Sequence, residues 1–431
     1  MKKNVVTVFI AFLLVTGSVP DLPAQVRDAD RRVAAIVQEI SPDLIAVRRD
    51  IHSHPELSTQ ETRTAALVAE RFKALGLEVR TGIAGTGVLG VLRGGKPGPV
   101  IGFRGDMDAL PITEDTGLPF ASKVRAVARG GAETGVMHAC GHDIHTTVLM
   151  GVATVLSRLR SEIAGTVLFV AQPAEESVGG AARMLHEGVF QDIKPAVMFA
   201  LHVDDSAPAG VIKYVPGYAM ANVDSASFSI LSEGCHGAHP NACVDPIVVA
   251  SQIVVAFQVM ISRQIDVHDD TVITVGSFHA GSVSNIIPER ADLRATIRTF
   301  GDDQRKLVKE KIERTIAGIC ESSGAKYTLE YSFGTPATYN DPALTMEAVA
   351  VAERILGKAN VVLDKPGMGG EDFSYFGREV PAAMLYVGVE PKGATATLHS
   401  PFFIADEDGI AVGVRVMAAV LLDKLNRLRT R

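Results

Sequence analysis

A chain of 431 residues that is 47% hydrophobic and carries a net charge of −7 is long enough for two or three domains around a large core. The mild acidity, with no basic run to contact phosphates, argues against nucleic acid as a partner. Tryptophan is absent, which removes any reading that depends on an indole ring.

Residues 1–24 carry the pattern of a secretory signal peptide. Lys2 and Lys3 precede an apolar run over residues 5–15, and Leu22-Pro23-Ala24 offers a small residue for cleavage before Gln25. The run is short for a membrane span; an uncleaved anchor is the alternative, and no later segment is expected to span a bilayer. The mature protein is therefore expected to be exported, periplasmic or secreted. Export permits disulfides. Yet Cys140 falls in a ligand-rich cluster, and Cys235, Cys243 and Cys320 are scattered through one later region, so no disulfide framework is expected.

Residues 25–75 read as helices. Ser41-Pro42-Asp43 has the form of an N-cap with proline at the first helical position, Ser58 and Glu61 that of a capping box, and Gly76 ends the helix that follows. His52 and His54, between the two helices, read as structural or surface residues. Beyond residue 79 the period changes. Short runs, apolar on both faces, at 87–92, 100–103, 166–171, 196–201 and 382–387 predict buried strands of a mostly parallel sheet with helices between them. Ligands of open α/β sheets bind beyond the carboxyl ends of the strands. Residues 100–103 lead to Asp106 and Asp108, 166–171 to Glu175 and Glu176, and 196–201 to His202, while 382–387 precede the loop with His399.

The densest cluster lies between two of these strands. His138, Cys140, His142, Asp143 and His145 fall within eight positions, just ahead of an apolar pattern at helical spacing from Val148 to Leu159. A soft thiolate beside an imidazole suits zinc or a similar divalent transition metal. Residues 222–333 break the rhythm. Strand 223–231, helix 245–265, strands 271–278 and 290–299, helix 302–322 and strand 326–333 give the βαββαβ order of a ferredoxin-like unit. Ligand-bearing segments resume at 369–373 and His399, so residues 222–333 are an insertion, and 25–221 with 334–431 form the main α/β domain. Cys140, His142, Glu176, His202 and His399 make a mixed-ligand set. Its five members exceed what one tetrahedral zinc with an open position uses. Two metals ~3.5–4 Å apart, sharing a bridging group, fit the set better. Of the adjacent Glu175 and Glu176, one then binds metal while the other takes a proton from the activated water.

Several motifs together carry a family resemblance: Met137-His-Ala-Cys-Gly-His-Asp143, Gln172-Pro-Ala-Glu-Glu176, Leu201-His202, His236-Gly-Ala-His-Pro240 and Asp245-Pro246. They continue with Gly281-Ser-Val-Ser-Asn-Ile-Ile-Pro288, Thr296-Ile-Arg298, Gly370-Glu-Asp-Phe-Ser374 and Leu398-His-Ser-Pro401. From Ile45 to Gly409 the chain resembles the dinuclear metallo-aminoacylase and carboxypeptidase family, in the branch with hippurate hydrolases and auxin–amino-acid conjugate hydrolases. The resemblance implies a zinc-exopeptidase-like catalytic domain with an inserted lid and dimerisation domain. It further implies that Cys140 bridges two divalent ions (zinc, with manganese or cobalt open) and that His142, Glu176, His202 and His399 complete the shell. Glu175 would be the general base and His236, on the lid, the stabiliser of the oxyanion. Asn285 and Arg298 would hold the carboxylate end of the substrate. Asp108 and Asp143 would orient ligand histidines, or serve as turn and cap residues; His138, His145 and His239 keep structural readings. The implied activity is hydrolysis of the amide of N-acyl-amino acids, by a homodimer in which one lid completes the partner's site. A dipeptidase acting on free dipeptides, with Glu233 or Glu371 receiving the ammonium, is the alternative enzyme, and a periplasmic acyl-amino-acid or metal-binding protein the non-enzymatic one. Glu233, Cys235 and Ala295 depart from the family pattern, which has Lys, Gly and Gly there.

Overall fold

The structure, a computed structural model, describes residues 24–393 and 397–429. The signal-peptide reading of residues 1–24 lies, but for Ala24, outside the described residues. Helices α1 (Ala24–Ser53) and α2 (Thr62–Ala74) open the fold. Val33, Val37, Ile40 and Leu44 follow at three- and four-residue spacing and are buried, which gives α1 its core-facing stripe. That stripe runs straight through Pro42, where the sequence pointed to a helix start. A proline inside a helix costs about 3 kcal/mol. Each of those side chains gains about 1.5–3 kcal/mol on burial, so the helix continues. Ser41 turns back to donate to the Val37 carbonyl (2.7 Å) instead of capping.

The chain then enters an eight-stranded sheet through β1 (Glu78–Ile83), β2 (Gly87–Arg93) and β3 (Lys96–Asp106). Helix α3 (His142–Arg158) leads to β4 (Ala164–Gln172), and β5 (Met198–Pro208) and β6 (Ile212–Tyr214) follow. Next come β7 (Asn222–Leu231), α4 (Pro246–Gln264), β8 (Val272–Ala280), β9 (Arg290–Thr299), α5 (Asp302–Ser323) and β10 (Lys326–Ser332). Helix α6 (Pro342–Leu356), β11 (Val361–Leu363), β12 (Ala382–Glu390) and α7 (Asp408–Arg429) complete the chain.

The large sheet has the order β1-β2-β4-β3-β5-β12-β6-β11. Its central strands β4, β3, β5 and β12 run parallel, with antiparallel neighbours on either side. Both faces are covered, so the strands are apolar on both. Val167 and Phe169 of β4 face the core built with α1, α3 and α7, while Leu168 and Val170 face Met184 and Phe376 on the other side. The expected mostly parallel α/β fold is present.

Strands β7 to β10 form a separate antiparallel sheet, β8-β9-β7-β10, with the strand order of the βαββαβ unit. Helices α4 and α5 pack on it around Phe228, Ile253, Phe257, Leu293 and Ile312, a core of its own. Cys235 and Cys243 form a disulfide, which the sequence reading did not expect. The connection from β7 to α4 doubles back and brings these residues, eight apart, to a Cα separation of 6.0 Å. Cys140 and Cys320 are free and buried.

Asp224 of β7 ties this unit together. It accepts from the Arg305 guanidinium of α5 (2.8 Å), the Tyr331 hydroxyl (3.0 Å) and the Gly334 N–H (3.0 Å), and both ion-pair partners are buried. Asp224→Ala strands a buried guanidinium. It is expected to destabilise the fold by about 3–5 kcal/mol, read as a lower urea midpoint.

Candidate metal centre

The carboxyl ends of the central strands open onto one crevice of about 930 Å³. Cys140 lies on the turn before α3, and His142 is the helix's first residue. Between them Gly141 has φ 77°, and a Cβ there would lie 2.6 Å from Val203, so this tight turn admits only glycine. Glu175 and Glu176 begin a short helix (Glu175–Val178) after β4, entered through Ala174 at φ 54°. His202 lies within β5 and not at its end, but the pairing of β5 with β3 stops at Ala200, which leaves His202 in the crevice. His399, at φ 61°, comes from the loop after β12 and donates its backbone N–H to Ala139 (2.8 Å), docking that loop on the Cys140 turn.

The ligand-type atoms converge. His399 Nε2 and His202 Nε2 lie 3.2 and 3.6 Å from Cys140 Sγ. Glu176 Oε1 is 3.4 Å from His399 Nε2 and 3.8 Å from His142 Nε2. Two triads result, Cys140-His142-His202 and Cys140-Glu176-His399, each with its atoms within 4.8 Å of one another, and Cys140 belongs to both. His142 presents Nε2 because its Nδ1 donates to the Asp108 carbonyl (2.8 Å), and His202 does so because its Nδ1 donates to that of Val203 (2.7 Å).

Among the described residues, the buried His142 Nε2 and Glu176 Oε1 have no hydrogen-bond partner. Such orphaned atoms are costly unless a cation takes them. Charge points the same way. Burial, then the Glu176 carboxylate, pushes the Cys140 thiol well up. Burial, then the carboxylates of Glu371, Glu176 and Asp372, pushes Glu175 well up, and burial pushes Glu176 up to about 7. A thiol, imidazoles and a carboxylate are the donors divalent transition metals take, and such cations would supply the missing positive charge. The donor set fits.

The site rests on a buried polar scaffold. Asp108 accepts the backbone N–H groups of Glu175 and Glu176 (both 3.0 Å) and the Ser58 hydroxyl (2.6 Å). Glu61 accepts the N–H of Ala174 (2.9 Å) and of Thr59 (2.8 Å) and the Thr86 hydroxyl (2.6 Å). Ser58 and Glu61 therefore do not form the expected capping box. Glu56 takes the N–H groups of Arg63 and Thr64 at the start of α2 (both 2.8 Å), which frees Ser58 and Glu61 to hold the Glu175 turn. Below lies Arg104, paired with Asp106 (2.7 Å), Glu371 (2.9 Å) and Asp372 (3.2 Å) and donating to Gln172 (2.8 Å). Asp106 accepts from His145 Nδ1 (2.6 Å), and His145 Nε2 accepts the Val203 N–H (2.9 Å). With both nitrogens committed, His145 is structural, and burial pulls it down to about 3. Sequence reasoning placed Asp106 at a strand end facing the site but gave Arg104 and Asp372 no role, and did not foresee their pairing. Their signal was two opposite charges, Arg104 and Asp106, in a strand end otherwise apolar and buried.

The other predicted residues fall in different places. Asp143 pairs with Arg48 (2.7 Å) and His52 (2.9 Å), and so braces α1 against α3 instead of orienting a ligand imidazole. His52 is buried, with Glu114 on its other nitrogen (3.2 Å); His54 is exposed. Arg298, on β9, lines the crevice half-buried and without a hydrogen bond or ion pair among the described residues, and burial lowers its pKa. His236 and Asn285 do not line it. Both are exposed and lie together at a small ribbon, Cys235–His236 against Ile286–Ile287. Glu233 flanks a separate hollow beside Cys243 and Lys326, and His239 is exposed.

Fold and site together define an α/β protein with a cluster of side chains that could hold metal ions. Residues 102–423 match peptidase family M20/M25/M40, and the chain belongs to that family. It is 36% identical over 397 residues to thermostable carboxypeptidase 1 of Saccharolobus solfataricus, covering 91% of this chain and 98% of that protein. It is 35% identical over 387 residues to the N-acetylcysteine deacetylase of Bacillus subtilis, covering 90% and 98%. The crystal structure of the Bacillus subtilis YXEP protein, described as a dinuclear metal-binding peptidase, superposes with a TM-score of 0.78 at 33% identity, covering 90% of this chain and 99% of that one. The chain is a hydrolase of the amidohydrolase and carboxypeptidase type.

Asp108→Ala would release two N–H groups that fix the Glu175–Glu176 turn. The expected result is a loss of roughly 10- to 100-fold in metal affinity, measured by zinc titration of chelated protein.

Proposed function

We propose that the chain binds two divalent cations at the Cys140 cluster and hydrolyses the amide bond of N-acyl-amino acids, as an exported homodimer. One observation carries the reading: Cys140 is common to two ligand triads, and Glu175 stands beside them, accepting the Asp372 N–H (3.4 Å) and without a cationic partner among the described residues. Cys140, His142, Glu176, His202 and His399 would hold the cations; zinc suits this donor set best. When bound, the cations supply Lewis-acid polarisation of the scissile carbonyl and a water acidic enough to attack at neutral pH.

The chain's own residues do the rest. Glu175 takes the proton from the attacking water and delivers it to the leaving nitrogen. Arg298, aided by Asn285, pairs with the substrate carboxylate, and His236 donates to the carbonyl oxygen as charge develops there. An acyl cap is favoured over a free amine by the state of the nearby carboxylates. Glu371 and Asp372 are already paired with Arg104, and Glu233 lies outside the crevice, so none of the three is free to receive an ammonium. Relatives named a deacetylase and a carboxypeptidase are in keeping with this. Hippurate should be cleaved and free dipeptides should not; the reverse preference would sink the reading.

Two features support a dimer. Helix α4 is apolar enough by length and composition to cross a membrane, but its inner face packs on the small sheet. Its outer face leaves Val248, Val255 and Val259 at least half exposed, a stripe suited to a second copy. His236 and Asn285 stand away from their own chain's crevice, as residues serving a partner's site would. The Cys235–Cys243 disulfide supports export, since disulfides persist in oxidising compartments.

Glu175→Gln is expected to keep both metals and lose at least ~100-fold in rate. Glu176→Gln should instead lower metal occupancy, because an amide is a poorer ligand. Metal analysis alongside the assay would reverse these assignments if the losses were exchanged. Refolding Glu175→Ala together with His236→Ala tests the dimer. Random pairing makes half the molecules mixed, each with one intact site, so about a quarter of wild-type activity should return. No recovery would place His236 over its own chain's metals.

A further inference from the structure

We propose that the Cys235–Cys243 disulfide positions His236 for catalysis, so that opening it slows turnover while the metal cluster stays intact. This rests on the role of His236 given above. Between the end of β7 at Leu231 and the start of α4 at Pro246, the chain leaves the four-stranded sheet and makes only a two-residue strand, Cys235–His236, and a single 3-10 turn, Pro240–Ala242. Residues 236–242 are all exposed, so no buried side chain anchors the tip of this excursion. A segment without buried apolar contacts opens readily. What holds it is short. Cys235 and His236 pair with Ile287 and Ile286, Gly237 donates to the Asn285 carbonyl (2.8 Å), and Ser232 donates to the Val244 carbonyl at the neck (2.5 Å). The disulfide is the covalent tie, and it begins at the residue before His236.

The turn it closes also sets the imidazole. His239 N–H donates to the His236 carbonyl (2.8 Å), and Ala238 N–H donates to His236 Nδ1 (3.0 Å). A ring that accepts at Nδ1 while neutral carries its proton on Nε2. That is the donor an oxyanion needs. An opened loop would lose the turn, and with it both the direction of the ring and the bias toward this tautomer. The bond is within reach of a reductant, since Cys243 lines a hollow of about 270 Å³ with Glu233 and Lys326 at its rim. A water-soluble phosphine would cleave the S–S bond, taking one oxygen from water as phosphine oxide and leaving two thiols.

The test uses the metal-loaded full-length enzyme with hippurate. After phosphine treatment kcat should fall at least ~10-fold, the scale expected when a catalytic group loses its placement. KM should move by a smaller factor, zinc content should hold, and reoxidation should restore the rate. Cys235→Ala/Cys243→Ala should match the reduced enzyme and resist restoration. A disulfide that only stabilises the fold would lower the melting temperature and leave kcat at 25 °C unchanged, which would overturn the proposal; so would zinc loss in step with activity. In a His236→Ala background reduction should alter the residual rate by less than ~2-fold, and an undiminished loss there would also overturn it. A fully active His236→Ala enzyme would instead remove the underlying reading of His236. A slow His236→Ala enzyme beside a fast reduced one would remove the disulfide's role alone.

Discussion

The guanidinium of Arg104 is the cation on which the site's construction depends. Asp106, Glu371 and Asp372 come from the end of β3 and from a segment far along the chain, and they could not be buried together without it. Burial works against the charge of Arg104, but the three carboxylates more than offset it. From this centre two lines of contact run to the chemistry. Asp106 holds His145, which accepts the N–H of Val203 beside His202. Asp372 accepts from Gln172 (2.7 Å) and from the Ala181 N–H (3.0 Å), and its own N–H reaches Glu175. One residue thereby sets both the strand that carries His202 and the turn that carries Glu175.

How far the sequence could be read depends on which force dominated each segment. Strands β4 and β12 and the whole βαββαβ unit were legible because burial imposes a period, and nothing at those positions competes with it. The residues that converge on the crevice stood out because Cys140 and His142 crowd one turn, while Glu175, Glu176 and His202 interrupt or follow runs that are otherwise apolar. Pro42 misled because a local rule was outweighed by a stripe longer than one turn. Ser58 and Glu61 misled for a different reason. Their spacing fits a capping box, but their side chains are bound to Asp108 and to the Ala174 N–H, contacts between segments 50 and 113 residues apart. The Cys235–Cys243 bond was hidden because spacing along the chain says nothing about where a loop doubles back.

Local rules are also broken in the backbone, and mostly in one place. Four described non-glycine residues have positive φ: Thr59, Ala84, Ala174 and His399. Ala174 introduces Glu175, His399 is itself a cluster residue, and Thr59 donates to the same Glu61 that holds Ala174. Left-handed backbone at such residues costs of order 1–3 kcal/mol each and persists only where surrounding contacts over-determine it. Here those contacts are Glu61 on Ala174 and the Ala139 carbonyl on His399. Ala84, between β1 and β2, is the exception; the other three lie in or against the turns that carry Glu175 and His399.

The crevice is electrically lopsided, and that asymmetry bears on which end of a substrate goes where. At one side lie the thiol and carboxylates of the cluster, Cys140, Glu175 and Glu176. Across from them, on the small sheet, Arg298 is a half-buried guanidinium with no partner among the described residues. A guanidinium held partly out of water without an anion is costly, and a substrate carboxylate removes that cost. A molecule bound that way presents its carboxylate to the inserted unit and the next bond inward to the cluster. The scissile amide would then, on the proposed reading, be the one on the amino side of the carboxylate-bearing residue. On the proposed reading this polarity accounts for why one architecture serves both removal of an acyl group from an amino acid and removal of a C-terminal residue from a peptide. In both reactions the leaving group is an amino acid whose carboxylate Arg298 would hold, and what lies beyond the amide is left to the open side of the crevice.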